Sequence, residues 1–184
     1  VPAMGRTRLA SELSIGARIA GMTTLRIDAL AHPEPSGTLR ALARGLLEVA
    51  PQEAGATLKR YVGVLGQAFD ELAQHAATAA PGPRLPKQPL ERKALVQRTF
   101  VDWLLEVCAS RPLLLVVDDA QAVDVDSAGV LVLIAHAAPR VRLYLAVTQV
   151  RDEAGPAPIQ QLARVSARVR LQGLEREDIE LLIR

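Results

Sequence analysis

The arrangement of apolar and polar residues predicts alternating strands and helices along most of the chain. Apolar side chains that recur at spacings of three and four residues indicate amphipathic helices. Shorter segments rich in branched residues indicate strands. Helices are predicted at about 8–20, 38–50, 53–77, 91–110, 126–138 and 158–164 and from Glu175 onward, and strands in 23–29, 113–117, 141–148 and 167–173.

The segment LLLVV at 113–117 indicates how the strands are covered. Five successive apolar residues without alternation are typical of a strand that is buried on both faces. Together with the repeated strand–helix–strand order, this predicts an α/β fold with a mostly parallel sheet and helices on both faces. The helices between 38 and 77 form a predicted helical insert, and the proline-rich segment at 80–90 is a predicted extended connector.

Within the first predicted helix, Leu9, Leu13 and Ala17 fall at helical spacing and are the expected core face. The lone cysteine, Cys108, lies in the apolar pattern of the 91–110 helix, where we expect a buried structural thiol. A single cysteine excludes an internal disulfide and a zinc site built from several cysteines.

Composition limits the partners that this chain could have. Its 184 residues are 49% apolar, which suits one domain with a sizeable core. Twenty-two basic residues against 20 acidic ones leave a net charge of +2, which gives no strong reason to expect a nucleic acid or an acidic membrane as partner. Neither a membrane span nor a signal peptide is visible, so a cytoplasmic location is expected.

Gly5, Arg6 and Thr7 match the last three places of the phosphate-loop pattern G-x-x-x-x-G-K-[ST], with arginine in the place of lysine. In such a loop, backbone N–H groups and a helix N-terminus hold phosphates, and the hydroxyl ligates magnesium. The first glycine of the pattern and the strand that leads into it would fall before Val1. An ordinary loop entering a helix is the alternative.

Asp118 and Asp119 directly follow the buried strand at 113–117. Carboxylates at this end of a parallel strand point into the crevice where open α/β sheets bind ligands. In phosphate-loop nucleotidases the first carboxylate holds magnesium through water, and the second orients or activates the attacking water. A strand that merely ends in solvated aspartates is the alternative, but two partial motifs in the right order favour a nucleotide site.

These motifs resemble a family, the STAND-like branch of AAA-type P-loop ATPase domains in bacterial multidomain signalling proteins such as transcription regulators and kinase-linked ATPases. The matching residues are GRTRL at 5–9, RPLLLVVDDAQAVD at 111–124, LYLAVTQVRDE at 143–153 and RVRLQGLEREDIELLI at 168–183. The resemblance implies one ATP-binding core over 1–184, truncated at both ends. Its parts are the end of the phosphate loop with a helix and strand (1–31), the helical insert and connector (32–90), and the aspartate pair, a sensor-like strand and the C-terminal part (91–184).

The resemblance also implies ligands and site residues. ATP and Mg²⁺ are the expected cofactors, and the expected partners are ATP or ADP, other domains of the same larger chain and a second copy by self-association. Asp119 would be catalytic, and Mg²⁺ would be held by Thr7 and, through water, by Asp118. The expected nucleotide-binding residues are Ala3, Met4, Gly5, Arg6, Thr7, Arg8, Thr148 and Arg151.

Two departures from the family pattern shape the expected function. TQVRD has one residue more than the commoner spacing, so a solvated loop arginine is the alternative for Arg151. Arg6 keeps the positive charge of the family's lysine, but its guanidinium is bulkier than an ammonium. We therefore expect an ATP-binding regulatory switch with weak or slow hydrolysis. A nucleotide-independent pseudo-ATPase scaffold for protein–protein interaction is the alternative.

Overall fold

In the computed structural model, the described residues are 5–75, 82–150, 153 and 155–172, and they form an α/β fold. Their strands are β1 (Thr23–Asp28), β2 (Leu113–Asp118) and β3 (Leu143–Val147). Their helices are α1 (Arg6–Ile19), α2 (Gly37–Val49), α3 (Pro51–Ala68), α4 (Asp70–Ala73), α5 (Pro89–Ser110), α6 (Val125–Ala137) and α7 (Ala157–Val165). The helix predicted from Glu175 lies outside the described residues.

The three strands form a small parallel sheet in the order β1-β2-β3. β2 is the central strand and all six of its residues are buried, as its uninterrupted apolar run predicts. In the β1–β2 pair, Thr23 lies opposite Leu113 and Asp28 lies opposite Asp118. All three strands therefore end at the same edge of the sheet, which is the edge where Asp118 lies.

Helices pack on both faces of this sheet. Leu115 and Val117 of β2 belong to the main core, which also contains buried residues of α2, α3, α5 and α6. α2 lies close to β1, and a Cβ on Gly45 would overlap Leu25 Cδ1, so a larger residue there would require the Leu25 side chain to shift. On the opposite face, Ala10 of α1 packs with Leu114 and Val116.

The face that α1 presents to the sheet shares only Ala17 with the one expected, since Ala17 packs against the cluster of Ala10, Leu114 and Val116. Leu9 and Leu13 are each 45% exposed, whereas Ala10 and Ser14 are buried. The Ser14 hydroxyl is satisfied because it donates to the Ala10 carbonyl at 2.8 Å. Small residues face the sheet because Leu114 and Val116 already fill the space beneath α1. The spacing of apolar residues along α1 does not show how much space the sheet leaves.

The single helix predicted at 53–77 is divided in two. α3 ends at Ala68, the following Phe69 is extended (φ −131°, ψ 108°), and α4 begins at Asp70. Phe69 and Leu72 on either side of the break are buried, 3% and 1% exposed. The helical spacing of the apolar residues continues through Phe69, so the apolar pattern alone does not reveal the break.

The strand predicted at 167–173 is absent from its described part, residues 167–172. Val169, which would have been an inward-facing residue of that strand, is 79% exposed. The alternation of arginines with apolar residues imitates a strand, but no neighbouring strand pairs with it here, and strands are stabilised by such pairing. Among the helices of the described segments, none is long and apolar enough to cross a membrane.

Candidate functional site

Several of the predicted site residues meet at the carboxyl edge of the sheet. Asp118 ends β2, Asp119 follows it, and Thr148 follows β3. The N-terminus of α1, which begins at Arg6, lies at the same edge, because Arg6 Nη2 is 4.0 Å from Asp119 Oδ1. The structure therefore brings the two halves of the predicted motif together.

Asp118 is the most deeply buried of these residues, with a side chain only 4% exposed. Its Oδ1 accepts a hydrogen bond from the Thr148 hydroxyl. Its Oδ2 accepts one from Nη2 of Arg26, at 2.5 Å. Burial acts to raise the pKa of Asp118, but the hydrogen bonds from Thr148, Arg26 and Thr7 and the Arg26 charge outweigh it and hold the pKa below its ordinary 3.8.

Asp119 adopts a left-handed backbone conformation, with φ 52° and ψ 49°. Its N–H donates to the Thr148 hydroxyl at 3.0 Å, and its Oδ1 accepts from the Gln121 side-chain amide at 3.0 Å. The Thr148 carbonyl accepts from the Ala120 N–H at 2.8 Å. Thr148 therefore ties the end of β3 to both aspartates, as its predicted position beside the site requires.

The N-terminus of α1 provides backbone donors and open space for an anion. Gly5 is the N-cap residue and has φ 74°. The first turn contains no acidic residue, and because glycine has no side chain, the N-cap leaves the first N–H groups without a side-chain acceptor. A Cβ on Gly5 would meet nothing within 4 Å, so the space beside it is open in the described structure. The first backbone N–H groups of an α-helix have no acceptor within the helix, and their partial positive charge favours a phosphate or carboxylate.

Sequence reasoning missed Arg26 and Gln121. The alternation of residues in β1 places Arg26 on the face opposite Leu25 and Ile27, and the sequence shows this alternation. The sequence did not show that Asp118 is the partner of Arg26, because this pairing depends on the parallel register that sets β1 beside β2. Arg26 also donates from Nη1 to the Ser11 hydroxyl of α1, at 2.6 Å, so it connects three elements.

Of the other predicted site residues, only Arg8 lies among the described ones. The Arg8 side chain is 82% exposed and pairs with Glu12, at 3.2 Å. Ala3, Met4 and Arg151 lie outside the described residues.

The side chains at this edge fit an anion better than a divalent cation. The Thr7 hydroxyl, the other expected Mg²⁺ ligand, is among the groups that lower the pKa of Asp118. Asp118 Oδ2, however, already accepts from a guanidinium, whose charge would repel a dication. In the described part of the chain, no group of three or more His, Cys, Asp and Glu residues is arranged to hold a metal ion.

Comparisons of this chain with protein-family models, with curated proteins and with solved structures found no match. The geometry of the chain itself therefore carries the functional proposal.

Proposed function

We propose that this chain is an ATP-binding regulatory domain with a P-loop-like α/β core, acting as a switch within a larger bacterial signalling protein. The observation that carries the proposal is the meeting of Asp118, Thr148 and the N-terminus of α1 at the carboxyl edge of a parallel sheet. Ligands of open α/β sheets bind at this edge. The proposal includes a cytoplasmic location, contacts with other domains of the same chain and self-association.

The phosphates of ATP would lie against the first turn of α1. Its backbone N–H groups supply donors, and Arg6 supplies a charged fork that matches phosphate oxygens. The Arg6 side chain is 24% exposed, so it lies close to the site and remains accessible to a ligand. Gly5 leaves room for the phosphate to approach the backbone.

The surroundings of Asp119 support slow hydrolysis. A general base needs a free oxygen within hydrogen-bond reach of the attacking water. One Asp119 oxygen already accepts from Gln121 and faces Arg6 at 4.0 Å. Because this oxygen is occupied, only the other can accept a proton from water, and we expect slow hydrolysis, which suits a switch.

Nucleotide binding is tested by thermal unfolding and by isothermal titration with ATP, ADP and adenosine. A ligand that binds only the folded state stabilises it by about 2.7 kcal/mol at 100 times its Kd. We expect ATP and ADP to raise the unfolding temperature and adenosine to have little effect, because the donors address phosphate. Arg6→Gln should weaken ATP binding by about tenfold or more, the loss typical of one charged hydrogen bond.

The matched control is Arg111→Gln, which removes an arginine from the opposite end of the same sheet, where it pairs with Glu53 at 2.8 Å. This variant should bind ATP as the wild type does. Equal affinity for ATP and adenosine, or equal losses in the two variants, would contradict the proposal.

A nucleotide-independent scaffold is the second candidate, and the exposed apolar side chains of α1 favour it. Ile15 and Ile19, one turn apart on the same side of α1, are 47% and 83% exposed, which gives this helix an apolar surface on which a neighbouring domain can pack. If ATP fails to bind and Ile15→Ser with Ile19→Ser abolishes self-association of the chain, the scaffold is the better description.

A further inference from the structure

We propose that Arg26 supplies at Asp118 the positive charge that a divalent cation supplies in other nucleotide sites, so that ATP binds to this chain without Mg²⁺. The inference rests on the proposed function, since it concerns the same site. It adds that the site does not require Mg²⁺ and that Arg26 is the residue responsible.

Arg26 is fixed in position from two sides. Nη2 donates to Asp118 Oδ2 at 2.5 Å, and Nη1 donates to the Ser11 hydroxyl at 2.6 Å. Ser11 in turn donates to the Thr7 carbonyl at 2.8 Å, in the first turn of α1. The guanidinium therefore links β2, through hydrogen bonds, to the end of α1 at which a phosphate would bind.

Both oxygens of Asp118 are engaged by side chains. Oδ1 accepts from the Thr148 hydroxyl, and Oδ2 accepts from Arg26. The carboxylate is 4% exposed, so a hydrated ion reaches it only after one of these donors moves away. Mg²⁺ dehydrates reluctantly and keeps several waters, which makes such a closed carboxylate a poor ligand for it.

The charges of the site are also matched without a metal ion. Arg26 faces Asp118, and Arg6 faces Asp119, so each carboxylate of the pair has its own guanidinium. Asp28, which ends β1 beside Asp118, is exposed, and its carboxylate accepts from the Leu30 N–H at 3.0 Å. The N-terminus of α1 then adds partial positive charge for the phosphates.

The experiment measures binding of a fluorescent ATP analogue in buffer with MgCl₂ and in buffer with EDTA. For the wild type we expect the two dissociation constants to agree within about threefold, a difference of less than 1 kcal/mol. Arg26→Gln removes the charge but keeps a side-chain donor. It should bind about tenfold more weakly in EDTA and recover part of that loss in MgCl₂, because the ion can then approach Asp118. Arg111→Gln should behave as the wild type does in both buffers.

The results separate this inference from the function on which it rests. Binding in MgCl₂ with none in EDTA would overturn the inference and leave the ATP proposal intact. No binding in either buffer would remove both.

A second measurement keeps the inference testable if Arg26→Gln does not fold. Mn²⁺ is titrated into nucleotide-free wild type and followed by electron paramagnetic resonance. We expect no uptake at Asp118, and uptake that the Asp118→Asn variant abolishes would contradict the inference.

Discussion

Nη2 of Arg26 lies 2.5 Å from Oδ2 of Asp118 and joins β1 to the end of β2 across 92 positions of sequence. The carboxylate is almost fully buried and the guanidinium is about one-third exposed. A buried charge is tolerated only when it is paired and hydrogen-bonded. This pair therefore contributes both to the electrostatics of the candidate site and to the stability of the sheet.

Arg26→Gln should lower stability at neutral pH and make stability less dependent on acid. The pKa of Asp118 lies below 3.8 in the folded state, so its stabilising contribution is present above pH 3.8 and is lost as pH falls through the folded pKa. Without the arginine, that pKa rises toward or above the unfolded value, so less stability is lost on acidification and the two proteins converge at low pH. At neutral pH the variant should lose roughly 1–3 kcal/mol, toward the lower end because the arginine is partly exposed. Urea unfolding across the acidic range measures both effects, and a curve parallel to that of the wild type would contradict them.

Thr148→Val should destabilise the chain, whereas Thr148→Ser should not. Valine keeps the shape of threonine but removes a hydroxyl that donates to Asp118 and accepts from the Asp119 N–H. Leaving these groups without their partner costs about 1–3 kcal/mol. Urea unfolding of the three proteins at one pH tests this expectation, and valine and serine variants of equal stability would refute it.

Asp119→Gly should be more stable than Asp119→Ala by about 1–2 kcal/mol, the typical cost of the left-handed conformation for a residue with a Cβ. Asp119 has φ 52° and ψ 49°, which alanine disfavours and glycine adopts freely. Both variants lose the carboxylate, so the difference between their stabilities reports the cost of the left-handed backbone conformation. If alanine proves as stable as glycine in chemical unfolding, Asp119 is not held in this conformation.

Two substitutions in α1 test which of its faces is buried. Ala10→Leu should destabilise by about 1–3 kcal/mol, because it forces extra volume between α1 and the sheet. Leu13→Gln should change stability by no more than about 0.5 kcal/mol, as is usual for surface positions. Leu13 is 45% exposed and Ala10 is 4% exposed. The opposite ranking in thermal unfolding would show that the leucine face is the buried one.

The Cys108 thiol should resist modification until the chain unfolds. Burial raises its pKa to about 12, and the thiolate is the reactive form of cysteine. We expect Ellman's reagent to react slowly with native protein at pH 8 and rapidly in denaturing guanidinium, with one thiol titrated because the chain has a single cysteine. Rapid reaction without denaturant would place this side chain at the surface.

Much of the fold was predictable from local pattern. The apolar run at 113–117 predicted a doubly covered strand, and all of β2 is buried. Asp124 caps α6, since its carboxylate accepts from the Asp126 and Ser127 N–H groups at the start of that helix. Such features depend on neighbours within a few residues, so the sequence carries them directly.

The division of the 53–77 helix and the buried face of α1 were not predictable. Both depend on which partner surface each helix meets, and the apolar spacing runs through Phe69, which is extended and buried between α3 and α4. The strand expected at 167–173 fails in its described part for a related reason, because alternation alone does not supply a strand with which to pair.

The sequence by itself determined the order of strands and helices, the buried central strand and the place of Asp118 and Asp119 at its end. Only the tertiary structure decided what those carboxylates contact. Arg26 meets Asp118 because parallel pairing sets Arg26 opposite Val116, two positions before the aspartate and on the same face of the sheet. Register between strands that are some 90 residues apart is fixed by packing of the whole core, and no local pattern encodes it.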